Sequence, residues 1–144
     1  MRHVIAVGAL ALVVATTALP RPVAAQTSNA GTSLGNIRLV RNVTANGAPL
    51  AAGTYQVRLT ADQPQPGVGQ SPDAERYVEF LRGGKVVARE VATVVSNADI
   101  ATLAKGKKPG PGTATVELLK GNDYLRVWIN RAGTNYIIHL PVGS

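Results

Sequence analysis

Residues 113–142 have the sequence TATVELLKGNDYLRVWINRAGTNYIIHLPV, and this stretch decides the fold. It holds three runs rich in β-branched residues, separated by the pairs Gly121-Asn122 and Ala132-Gly133. Two-residue hairpin loops favour residues that tolerate positive φ, so each pair predicts a tight turn between antiparallel strands. The positions of the turns then fix which residues of the three strands lie opposite one another.

With these turns, nine residues from the three strands share one face of the predicted sheet. They form three rows across the strands: Leu118, Leu125 and Leu140; Val116, Val127 and Ile138; and Ala114, Ile129 and Tyr136. Because this face is almost wholly apolar, we predict that it forms the core. A slip of one residue would turn the whole face outward, which supports the register.

The same register predicts a mixed opposite face. Its rows are Leu119, Tyr124 and Pro141; Glu117, Arg126 and His139; Thr115, Trp128 and Ile137; and Thr113, Asn130 and Asn135. Polar and aromatic side chains alternate there without a continuous apolar surface. Candidate binding groups are therefore expected on this side of the sheet.

Similar short runs continue upstream, separated by Gly, Pro and Asn clusters. They predict an all-β domain, a single antiparallel sandwich or barrel of about seven strands with at most one short helix. The predicted strands are 34–43, 54–61, 76–82, 85–95, 113–120, 123–130 and 135–142.

The hairpin around Gly83-Gly84 has two faces that could be buried. One carries Val78, Phe80, Val87 and Val91 with four basic residues, and the other carries Tyr77, Leu81, Val86 and Ala88 with Glu79 and Glu90. We expect the Phe80 side to be buried at its centre, with the basic residues near its ends reaching solvent.

Two segments interrupt the strands. Residues 62–75 contain three prolines and predict a loop or an extended crossing. In residues 96–112, Ser96 or Asn97 could cap one or two helical turns before the sequence KGKKPGPG, which cannot form regular structure.

The first 25 residues have the pattern of a signal peptide. Arg2 precedes an apolar run over 4–15, and small residues end at Ala25, where we predict cleavage. A membrane anchor is the alternative, but such a run is shorter than the roughly 20 residues that span a bilayer. We therefore expect an exported protein, periplasmic or extracellular, with no transmembrane segment after cleavage, a disordered lead over 26–32 and one domain over 33–144.

The expected mature chain is basic and lacks cysteine. Its 13 basic and 8 acidic residues give a net charge of +5, against +7 for the full chain. Such a charge favours anionic partners such as an anionic polysaccharide or the cell envelope, although a merely soluble basic domain would have the same composition. Without cysteine, thiol chemistry and thiolate metal sites are excluded.

The sequence contains no catalytic motif that we can identify. One histidine, His139, follows the predicted cleavage site, and the eight acidic residues are scattered singly. We expect no enzyme, no cofactor and no metal. The alternative is a small ligand carrier or hydrolase, which would require an interior pocket lined by convergent polar groups.

Three groups of residues are candidates for binding. The row Glu117, Arg126 and His139 could grip an anion, or it could be an exposed charge ladder. Trp128, near Tyr124, could stack on a sugar, or it could be covered by the 62–75 loop or by a second sheet. A loop cluster could contact phosphates or acidic sugars, but it lacks the interleaved aromatics of a nucleic-acid binder; its members are Lys105, Lys107 and Lys108.

Residues 45–59, ANGAPLAAGTYQVRL, resemble the N-G-x-P-L-x-A-G-T-Y-x-V hairpin of small exported bacterial β-sandwich domains. These include carboxypeptidase-regulatory-like and transthyretin-like sandwiches, and uncharacterised families of secreted bacterial proteins. The resemblance implies that Gly47 and Gly53 turn the chain while Tyr55 and Val57 enter the core. Such domains are scaffolds without a shared active site, so the resemblance implies no functional residue.

Taken together, these patterns predict a non-enzymatic secreted module for binding or assembly. Self-association is included because residues 86–95, VVAREVATVV, would invite pairing if they lay at a sheet edge.

Overall fold

The computed structural model describes residues 31–143 and has the predicted all-β fold. Its elements are β1 (Ser33–Leu39), β2 (Val43–Ala45), β3 (Ala48–Leu50), β4 (Gly53–Leu59), β5 (Glu75–Arg82), β6 (Lys85–Ser96), α1 (Ile100–Leu103), β7 (Ala114–Leu118), β8 (Tyr124–Arg131) and β9 (Thr134–Pro141). The predicted signal peptide and most of the predicted lead lie outside the described residues. Within 31–143, no helix has the length and apolar character needed to cross a membrane.

Seven strands form one antiparallel sheet in the order β1-β4-β5-β6-β9-β8-β7. The two end strands, β1 and β7, lie side by side, so the sheet nearly closes into a barrel. In the described part of the chain these two strands are not paired with each other, and each therefore keeps one unpaired edge. The short β2–β3 hairpin contacts β6 and β9.

The predicted C-terminal register is confirmed. Val127 pairs with Val116 on one side and with Ile138 on the other, and Arg126 pairs with Glu117 and His139. Positive φ angles of 50° at Ala132 and 79° at Gly133 make the tight turn. The inward residues of β8 and β9 are almost fully buried except Tyr136, which is half-buried, and those of β7 are half-buried because β7 is an end strand.

The β2–β3 hairpin was not predicted as strands, because the pattern predicted one strand over 34–43. The chain instead leaves β1 at Leu39, bends and enters β2 at Val43. Asn46 and Gly47, with φ of 47° and 81°, form the turn between β2 and β3. As the resemblance implies, Tyr55 and Val57 are buried.

The prediction for the hairpin at Gly83-Gly84 is only partly correct. Val78 and Phe80 are fully buried, as expected. However, Leu81 pairs with Val86 and Phe80 pairs with Ala88, so the register shifts by one residue between these two pairs. Val87 is the extra residue of this β-bulge and is 41% exposed. A bulge moves every later side chain to the other face, and for this reason Ala88 and Ala92 are buried in place of Val87 and Val91.

The strand that contains residues 86–95 does not lie at an edge. β6 pairs with β5 over Lys85–Thr93 and with β9 over Thr93–Ser96. Pairing between β6 and β9 ends at Thr93 and Ile137, and the two strands separate from there. Because the two strands separate here, the outer surface of the sheet is open next to His139 on β9.

Residues 97–112, which we call the strap, cross the outer face of β8 and β9. The one short helix that was expected is confirmed as α1, a single turn. Ser96 does not cap it directly; its hydroxyl accepts from the Asp99 backbone N–H and donates to the Asp99 carboxylate. The turn places Ile100 on Trp128.

Candidate anion-binding cleft

Asparagine side chains fasten the strap to the barrel. Asn130, 1% exposed, donates from Nδ2 to the Pro109 carbonyl at 2.9 Å. Asn135, fully buried, donates from Nδ2 to Oδ1 of Asn97 at 2.8 Å. Since buried polar groups are costly when unpaired, these bonds favour one position of the strap.

Trp128 lies beneath the strap in a small second core. Only 2% of it is exposed, and it packs with Val95, Ile100 and Ile137. The indole Nε1–H donates to Oδ1 of Asn135 at 2.9 Å. Of the alternatives for Trp128, a covered position is therefore correct, but the cover is the strap rather than the 62–75 loop or a second sheet. A sugar cannot stack on this ring while the strap is in place.

Arg126 is held between Trp128 and the strap. Its guanidinium carbon lies 5.3 Å from the centre of the indole ring. On the strap side, Gly106 has a φ of 126°, and a Cβ there would lie 2.7 Å from Arg126 Nη2, so another residue would be strained and would displace the guanidinium. The Arg126 side chain is 12% exposed and donates from Nη2 to Glu117 Oε2 at 2.7 Å. Its buried Nε–H has no hydrogen-bond partner among the described residues.

His139 lies beside Arg126 on the neighbouring strand. Partial burial of the imidazole lowers its pKa below the usual 6.5, and the positive charge of Arg126 lowers it further. His139 is therefore neutral at pH 7, because both effects disfavour the charged imidazolium.

A cleft of about 180 Å³ opens between the strap and the strands β6 and β9. Its polar side is formed by Thr93, Lys105, Arg126 and His139. Its apolar side is formed by Val95, Leu103, Ala104 and Ile137. Two cationic side chains and one imidazole thus meet at a partly desolvated surface, where attraction for an anion exceeds that in open water.

The structure brings some predicted site residues together and leaves others apart. Arg126, His139 and Lys105 line the cleft, and Glu117 contacts it through Arg126. The other four do not line it: Trp128 lies beneath the strap, and Tyr124, Lys107 and Lys108 lie elsewhere. Lys108 Nζ lies 3.4 Å from Oδ1 of Asn97, and Tyr124 is 47% exposed.

Sequence reasoning missed the contributions of Thr93, Leu103 and Gly106. The sequence correctly places Thr93 on a strand. That Thr93 lies beside Ile137 follows from the pairing of β6 with β9, which no turn in the sequence specifies. Gly106 lies in the KGKKPGPG segment. The sequence explains a glycine there by irregular structure alone and gives no sign that Gly106 contacts Arg126.

Within residues 31–143, no three His, Asp or Glu side chains are grouped so as to hold a metal ion. Comparisons with family models, with curated proteins and with solved structures found no match. The resemblance of residues 45–59 to exported sandwich domains therefore stays a prediction.

Proposed function

We propose that this protein is an exported, non-enzymatic binding module that captures anionic groups, such as those of a cell-envelope polysaccharide, in the cleft. The observation that carries the proposal is Arg126: it lines the cleft, packs against the ring of Trp128, and makes only one side-chain hydrogen bond among the described residues. A guanidinium has five N–H donors in a planar fork that suits carboxylates and related anions. Donors therefore remain for a ligand.

Preorganisation supports this proposal. The indole of Trp128 and the backbone at Gly106 fix the guanidinium before any ligand arrives. Affinity rises when side chains need not be ordered on binding, because less conformational entropy is lost. Lys105 adds a second positive charge from the strap.

The contacts around His139 favour binding over catalysis. A catalytic hydroxyl requires a base within hydrogen-bond reach, and that base is usually oriented by a third group. In the part of the chain that the structure describes, neither the His139 ring nor the Thr93 hydroxyl makes a side-chain hydrogen bond. Glu117, the nearest acid in the row, pairs with Arg126 instead.

The test is retention on immobilised anionic polysaccharide at low salt. We expect Lys105→Gln and Arg126→Gln to weaken retention, and Lys105→Gln to lower its dependence on salt because one fewer counterion is released. Matched controls are Lys85→Gln and Arg38→Gln, which change the net charge equally at exposed residues outside the cleft. Equal losses in the controls would indicate diffuse charge attraction and would refute a specific site.

Assembly through strand edges is the second candidate function, favoured by the unpaired edges of β1 and β7. Unpaired strand edges offer backbone groups to another chain. Sedimentation of the protein across a range of concentrations tests this candidate. A constant monomer mass would rule out assembly and leave anion binding as the one proposal.

A further inference from the structure

We infer that the ligand group is a small monoanion on an apolar stem, such as a carboxylate carried by an aliphatic or aromatic group. This inference rests on the proposed capture of an anion in the cleft and goes beyond it, because an aliphatic or aromatic carboxylate is a smaller and less polar ligand than a polysaccharide. It makes phosphate and sulfate poor ligands of the same cleft. Three properties of the cleft lead to it: its charge, its apolar side and its size.

The charge around the cleft suits a single negative charge. Arg126 and Lys105 are cationic, and Glu117 neutralises one of these charges through its ion pair with Arg126. His139 faces the same space from β9 and is neutral at pH 7. One net positive charge therefore remains in the cleft. A monoanion balances this charge, whereas a dianion would leave one net negative charge there.

The apolar side of the cleft is unusual for a site that binds only a small inorganic anion. Val95 and Ile137 continue into the core around Trp128, and Leu103 at the end of α1 is 69% exposed. A ligand with an apolar stem would cover Leu103 and remove that surface from water. A phosphate or sulfate would contact the same surface without any hydrophobic gain.

The size of the cleft sets the length of the stem. At about 180 Å³, the cleft is smaller than the roughly 300–1,000 Å³ of pockets that hold drug-sized ligands. That space accepts a carboxylate and a stem of a few carbons. A longer chain or a polymer would extend past Leu103 into solvent.

The experiment measures binding of acetate, butanoate, hexanoate, inorganic phosphate and sulfate to the full protein at constant ionic strength. Emission of Trp128, the one tryptophan, reports binding because its ring contacts Arg126. We expect affinity to rise up to about fourfold for each added methylene until the cleft is full, as a buried methylene provides. Phosphate and sulfate should bind no more tightly than acetate.

Two variants separate the parts of the inference. Leu103→Gln should remove the dependence of affinity on stem length, while Val40→Gln, at an exposed valine outside the cleft, should change neither that dependence nor the affinity for acetate. Lowering the pH through the depressed pKa of His139 should strengthen hexanoate binding, because protonated His139 adds a charge beside Arg126, Glu117 and Lys105. His139→Gln should abolish that increase.

The outcomes distinguish this inference from the proposed function. Affinities that do not depend on the stem, or phosphate binding as tightly as hexanoate, would overturn the ligand class and leave anion capture intact. If none of the anions binds, and Arg126→Gln is retained on anionic polysaccharide like the parent, both are wrong.

Discussion

Replacing Asn135 with alanine should both destabilise the protein and loosen the strap. In the folded protein the Asn135 amide accepts from Trp128 Nε1 at 2.9 Å and donates to Asn97 Oδ1 at 2.8 Å. Each such neutral bond contributes about 1 kcal/mol, and an indole N–H left buried without a partner costs about 1–3 kcal/mol more. We therefore expect Asn135→Ala to lower the free energy of unfolding by about 3–5 kcal/mol.

Urea unfolding followed by circular dichroism measures this cost, and tryptophan emission reports the strap in the same samples. Because Trp128 is the one tryptophan and is 2% exposed, water entering under a loosened strap should shift its emission to the red before the barrel unfolds. Asn36→Ala, at an exposed position of β1, is the matched control and should cost less than about 0.5 kcal/mol.

A cost below about 1 kcal/mol together with unchanged emission would refute this reasoning. Such a result would mean that the asparagines do not hold the strap and that apolar contacts of Ile100 alone cover Trp128. Red-shifted emission with an unchanged unfolding midpoint would also contradict it, since the strap would then open independently of the barrel.

Three further predictions concern the core, the strap and the titration of His139. Val127→Ala, in the centre of the buried face, should cost about 1–3 kcal/mol in urea unfolding, whereas Thr115→Ala on the outer face should cost less than about 0.5 kcal/mol; equal costs would contradict the register. Gly106→Ala should weaken retention on anionic polysaccharide more than Gly69→Ala, because both residues have positive φ but only the methyl group at 106 meets Arg126. The pKa of His139 is lower in the folded protein than in the unfolded chain, so stability should fall as the pH drops below about 6.5 and level off below the folded pKa. In His139→Gln, unfolding midpoints should lack this decline, and an identical pH profile would show that His139 does not titrate as described.

The C-terminal half of the sheet could be predicted because its turns leave one register. Ala132 and Gly133 take the positive φ of a two-residue hairpin, and Gly121 and Asn122 take positive φ in the preceding turn. With the turn residues fixed, the alternation of side chains decides which face is buried. Local chemistry was therefore sufficient for β7, β8 and β9.

The β5–β6 hairpin shows where that reasoning fails. Its turn at Gly83-Gly84 was identified correctly, but one extra residue at Val87 reverses the faces of everything that follows. Nothing in the local pattern distinguishes a valine that continues a strand from one that bulges out of it. The choice depends on packing Ala88 and Ala92 into the core, a contact that the sequence of this hairpin does not specify.

The candidate site lies where the best-predicted strands meet the least predictable segment. Register alone placed Glu117, Arg126 and His139 in one row, and an open row of this kind contributes only a few tenths of a kcal/mol per pair. The strap changes its chemistry: it covers Trp128, limits exposure of the Arg126 side chain to 12%, and supplies Lys105. A site of this kind depends on how firmly the strap is attached. Variants of Asn130 and Asn135, which do not line the cleft, should therefore alter anion binding through the position of the strap.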